Sequence, residues 1–69
     1  MHERDRRIIV DKLHAVDADM CSAQRAGDKE IVWEKTGEYQ GIAWMLALMG
    51  YSPKKVNGLY QLRPLGSPE

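Results

Sequence analysis

Apolar residues recur along the first third of the chain at helical intervals. Ile9, Leu13, Val16, Met20 and Ala23 follow one another at steps of four and three. At about 100° per residue they share an arc roughly 80° wide, with Asp11, Lys12, Asp19 and Arg25 outside it. Neither Gly nor Pro interrupts the stretch. The pattern predicts an amphipathic helix over about 3–26, with Glu3 and Asp5 suited to its positive end and Arg25 to its negative end. Ala26-Gly27-Asp28 then reads as a stop and a restart. Gly27 suits a left-handed cap, and Asp28 can accept hydrogen bonds from the free amides of a following helix. So short a joint predicts antiparallel neighbours.

The second periodic stretch, about 29–49, carries two apolar stripes. Ile31, Tyr39, Ile42, Met45, Leu46 and Met49 are expected to face the first helix. Trp33, Trp44, Leu48 and Tyr51, with Ala47 beside them, lie on the opposite side. From Ile42 onward the segment is apolar almost all round, so its far side needs a cover: the tail or a second subunit. Gly37 and Gly41 weigh against a helix, because each costs about 1 kcal/mol relative to Ala in a helix interior. A β-hairpin over 31–44 turning at Thr36-Gly37 is the alternative. The Asp28 start and the helix-forming run Ala43–Met49 favour the helix. The two glycines then lie one turn apart, where they permit close approach of another backbone, or a kink.

Gly50 and Pro53 end the second helix. Val56-Asn57-Gly58-Leu59 is a turn signal, Tyr60, Leu62 and Leu65 give the tail something to pack with, and 66–69 reads as flexible. The expected fold is all-α: an antiparallel αα-hairpin with a short irregular C-terminal tail, one domain over 1–65, dimerising into a four-helix arrangement.

Sixty-nine residues make one small domain that buries only about 60% of its unfolded surface. Such domains usually add disulfides, a metal or self-association. The single cysteine, Cys21, rules out an internal disulfide and suits a reducing compartment. The N-terminus is too charged and mixed for a signal peptide. The longest apolar run, Ile42 to Met49, is far short of the roughly 20 residues that span a bilayer. The expectation is a soluble, cytoplasmic protein without membrane contact.

Ten basic and ten acidic residues cancel, so no global field draws nucleic acid. The ends are nevertheless mildly basic and the body acidic: residues 11–50 hold four basic against seven acidic side chains. Arg4, Arg6 and Arg7, with Lys12, and Lys54, Lys55 and Arg63 from the tail, are candidate phosphate contacts, with Tyr60 as a stacking surface. A helix-turn-helix does not fit, because the second helix is too apolar to lie in a groove.

His14, Asp17 and Cys21 share an arc of about 60° on the first helix, and imidazole, carboxylate and thiolate all bind metals. Their spacing matches no zinc motif and leaves a fourth ligand unspecified, so a metal or reactive-thiol site there is the remote reading. No carboxylate pair sits in an apolar setting that would separate an acid from a base, and no phosphate-binding glycine loop is present. The expectation is no catalytic residue, metal or cofactor. Trp33, Gly37, Gly41, Trp44, Leu48 and Tyr51 are the candidate interface, since aromatic residues concentrate at interface centres.

Gln24-Arg-Ala-Gly-Asp-Lys-Glu30, Thr36-Gly-Glu-Tyr-Gln-Gly-Ile42 and Ala47-Leu-Met-Gly-Tyr51 resemble small uncharacterised proteins of bacteria and their phages. Those proteins form a helical hairpin joined at Ala-Gly-Asp and ending in Leu-Gly-Tyr. The resemblance covers about 20–52 and implies an accessory protein that binds another macromolecule; it implies no catalytic residue. Together these features lead to a non-enzymatic interaction module that forms a homodimer through the second helix and meets an unidentified protein. A small nucleic-acid-binding regulator is the alternative.

Overall fold

A computed structural model describes residues 1–66 of the chain. Helix α1 spans Glu3–Ala26 and α2 spans Lys29–Leu48, followed by strands β1, Tyr51–Val56, and β2, Leu59–Pro64. Gly27 takes φ 74°, where its N–H donates to the Gln24 carbonyl and that of Asp28 to the Ala23 carbonyl. This is the Schellman closure, which returns two orphan carbonyls of the last turn to hydrogen bonds. The Asp28 carboxylate then accepts from the Ile31 amide at 3.1 Å and opens α2.

The fold is α+β, which corrects the all-α expectation: residues 51–64 form a two-stranded antiparallel hairpin where an irregular tail was expected. Asn57 and Gly58 have φ of 52° and 80°. Two successive positive-φ residues make the tight turn whose twist matches paired strands. Pairing then runs from Val56↔Leu59 to Tyr51↔Pro64. Helical tracts are recognised by long periodicity, and these strands are too short and too poor in β-branched residues to show the strand counterpart. The bare αα-hairpin falls with the all-α class, because the helix pair carries a β layer on one face.

With the turn at 57–58, Val56–Leu59 is a hydrogen-bonded pair, and pairs alternate from there. Pro53 and Pro64 therefore occupy positions whose N–H would point off the sheet edge. They cost the ladder nothing, and each removes an edge donor that could recruit another strand.

A two-stranded sheet is marginal by itself. This one packs across both helices, with β1 along α2 and β2 along α1. Leu62 comes down between Leu13 of α1 and Leu46 of α2, and these three form the buried cluster. Ile9, Val10, Tyr39, Ile42, Tyr51 and Tyr60 pack around it. Val16 and Ala23 are buried further along α1. The inner face of α2 is narrower than its stripe implied: Leu46 is buried and Tyr39 and Ile42 half-buried, while Ile31, Met45 and Met49 are exposed. Val32, Thr36 and Ala43 are half-buried instead, so α2 is turned toward that side.

Two surface ion pairs tie the helices, Lys12–Glu38 at 3.6 Å and Lys35–Asp19 at 3.5 Å, and Lys35–Glu38 at 2.9 Å joins them within α2. The hydrogen bond to Glu38 holds the Lys35 ammonium above its ordinary 10.5, and the same bond holds Glu38 below 4.5. Pairs this exposed orient the helices more than they stabilise them. Among the described residues, no helix is long and apolar enough to cross a membrane. The flexible segment expected at 66–69 lies, from residue 67 on, outside the described residues.

Leu62→Ala removes the residue that joins the layers. It is expected to destabilise the whole fold by about 2–4 kcal/mol in urea denaturation. Helix and near-ultraviolet signals should be lost in one transition. A neutral effect would mean that the hairpin does not belong to the folded unit.

Candidate functional site

The His14, Asp17 and Cys21 trio separates in the structure. His14 Nε2 accepts a hydrogen bond from the Tyr60 amide at 3.2 Å, and the imidazole meets the Tyr60 ring edge-on at 5.0 Å. Tyr60 lies opposite Lys55 in a non-hydrogen-bonded pair, so its N–H points outward from β2. His14 supplies the acceptor that this edge lacks. Asp17, one turn further along α1, pairs with Lys55 Nζ at 2.8 Å. The Lys55 ammonium also lies 5.6 Å from the Tyr60 ring centre. Both α1 side chains thus hold the hairpin down. Cys21 is an exposed free thiol. Among the described residues, no three His, Cys, Asp or Glu form a group able to hold a metal ion.

Burial, and then the Asp17 charge, push the Tyr60 phenol above its ordinary 10.0. The Asp17 hydrogen bond, and then its charge, raise Lys55 above 10.5. This polar seam was not read from the sequence. Its only signal was the Lys55 and Tyr60 spacing around Asn57-Gly58, which places both on one face once the hairpin is recognised.

The basic candidates divide. Lys55 is committed to Asp17. Arg6 stacks 5.9 Å above the Tyr51 ring, which brings the N-terminal arginines to the base of the hairpin. Arg63 is exposed on β2 with its guanidinium 3.4 Å from the Gln61 side-chain oxygen, and Arg4, Arg7 and Lys54 are exposed.

The interface candidates gather on the outer face of α2, except for Tyr51, which begins β1 and is half-buried against the leucine cluster. Trp33, Trp44 and Leu48 are 81%, 70% and 73% exposed. They lie on the side of α2 opposite Leu46, a side that neither α1 nor the hairpin covers. Between them stand Gly37 and Gly41. A Cβ built at either glycine meets nothing within 4 Å, so no close approach among the described residues explains them. A hollow of about 150 Å³ opens beside Gly37, lined by Trp33, Thr36 and Gln40. A second, of about 300 Å³, lies between Trp33 and the Gly27 joint. Met45 and Met49 widen the apolar surface toward the end of α2.

Comparison with protein families, characterised proteins and solved structures finds no match to this chain. The site is therefore argued from its own residues.

Two substitutions test the polar seam. His14→Ala leaves the Tyr60 amide without its acceptor and is expected to destabilise by about 1–3 kcal/mol in urea denaturation. Lys55 has a folded value above its unfolded 10.5. Its contribution is therefore whole below that pH and fades as pH rises through the folded value. Lys55→Met should melt below wild type at neutral pH, and the gap should close only above pH 10.5. A gap that is constant across the alkaline range would show that the pair with Asp17 is not its source.

Proposed function

We propose that the protein is a non-enzymatic interaction module that associates with a second copy of itself through the outer face of α2. One observation carries this reading: Trp33, Trp44 and Leu48, all largely exposed, share the helix face that α1 and the hairpin leave open among the described residues. Contiguous exposed apolar surface marks interaction sites, and tryptophan is the residue most enriched where binding energy concentrates. His14 and Asp17, the groups with the most chemical promise, already serve the hairpin, which supports binding over catalysis. The acidic body, with Glu30 and Glu34 exposed on α2, offers a surface to a further protein. An exposed unpaired thiol at Cys21 suits the reducing cytoplasm. The resemblance of residues 20–52 to bacterial and phage hairpin proteins supports an accessory or regulatory role.

The second reading, nucleic-acid binding by Arg4, Arg6, Arg7, Lys54, Lys55 and Arg63, draws support from the exposure of Arg4, Arg7, Lys54 and Arg63. The Lys55–Asp17 pair counts against it. On this reading, affinity for a short duplex would fall steeply between low and moderate salt. Affinity unchanged by salt, or no binding at all, rejects it.

Light scattering on a sizing column tests the leading reading. The chain mass is 7.9 kDa. Wild type should rise toward twice that value with concentration, while Trp44→Glu stays at 7.9 kDa with an unchanged circular dichroism spectrum. A wild type that remains monomeric at millimolar concentration overturns self-association.

A further inference from the structure

We infer that the two copies pair antiparallel, about a two-fold axis between Gln40 and Gly41, with each Trp44 seated over the partner's Gly37 and each Trp33 against the partner's Leu48. This rests on the self-association proposed above and adds the orientation and register.

The order of side chains along α2 carries the inference. Trp33, Gly37, Gln40 and Trp44 recur at steps of four, three and four, the seam spacing by which two helices interlock. Reversing the seam about the point between 40 and 41 lays 33 on 48 and 37 on 44. Each bulky residue then meets a small or aliphatic one, as a self-complementary two-fold contact requires. The hollow beside Gly37 is open to receive the ring. Among the described residues nothing approaches a Cβ at Gly37 or Gly41, and helix-interior glycine is a net cost. A neighbouring chain that comes close at these positions accounts for both. Gln40 falls beside the axis, where a polar seam residue fixes register.

Charge agrees. Glu30 and Glu34 lie at the start of α2, and residues 39–49 carry no charge. Antiparallel pairing lays Glu30 and Glu34 against the uncharged stretch 47–51 of the other copy. Parallel pairing would stack Glu30 on Glu30, Trp33 on Trp33 and glycine on glycine. Two tryptophans at roughly 200 Å² each, with Leu48, give up to about 1,000 Å² over both copies, the size of a weak, concentration-dependent association.

Spin labels test the orientation. In a Cys21→Ser background, Glu30→Cys and Glu34→Cys are labelled separately, their mass is checked by light scattering, and the distance between copies is measured by pulsed electron resonance. Antiparallel pairing predicts roughly 30 Å for position 30 and about 20 Å for position 34, at 1.5 Å per residue. Double mass with both distances near about 10 Å, one interaxial spacing, overturns the antiparallel register but leaves self-association standing. A monomeric mass overturns both. Gly37→Leu adds an independent arm: it should fold as wild type, since the position is open, yet associate at least about tenfold more weakly. Undiminished association would overturn the seating of Trp44.

Discussion

Leu62 is the point on which the rest of the structure depends. It is the one strand residue buried between Leu13 and Leu46, and through it each layer supplies what the other lacks. The helix pair would otherwise leave a leucine from each helix open to water. The hairpin would otherwise be an isolated two-stranded ribbon with little stability of its own. Three leucines, with Val16 and Ala23 further along α1, are a small buried set. A chain of this length has little apolar area with which to offset its ordering entropy. The hairpin spends its inward side chains on one face of the helix pair, and none remain for the outer face of α2.

Docking of the hairpin also settles the most reactive-looking residues of α1. An outward-pointing amide on β2 needs an acceptor, and the imidazole of His14 meets it. The ammonium of Lys55, on the inward face of β1, needs a counter-charge, and Asp17 meets it. Both solve the problem of placing a sheet edge and a cation against a helix. Pro53 and Pro64 complete the arrangement by removing outward donors from the two strands. The edges of the β layer are thereby blunted, and the largest exposed apolar side chains, Trp33 and Trp44, stand on α2.

The helical half of this fold was legible from residues. The run Ile9, Leu13, Val16, Met20, Ala23 has one period and one face, and Gly27-Asp28 carries both a stop and a start. That Trp33, Trp44 and Leu48 share one side of α2 was legible too, since a fixed helical period puts them there; that the hairpin leaves this side exposed was not. The hairpin was not. Asn57-Gly58 announced a turn, but Tyr51-Ser-Pro-Lys-Lys-Val56 has one β-branched residue and a proline, and it becomes a strand only because Leu62 and Tyr60 find α1 and α2 beneath them. Tertiary context overrode propensity there. The role of His14 was hidden for the same reason: its partner is a backbone amide 46 residues away, which no spacing rule on one helix reveals. α2 is also turned so that Thr36 faces α1, its hydroxyl 3.9 Å from Met20 Sδ, and Met45 and Met49, assigned inward, lie exposed.

The central claim is that α2 presents its tryptophans to a second copy while the leucine cluster stays as it is. The two indole N–H groups give separate proton resonances, so nuclear magnetic resonance on a dilution series reads this face directly. The account predicts that the Trp33 and Trp44 indole signals move together with concentration, and that the amides of Leu13 and Leu62 hold still. Indole signals that are unmoved across the series would contradict it.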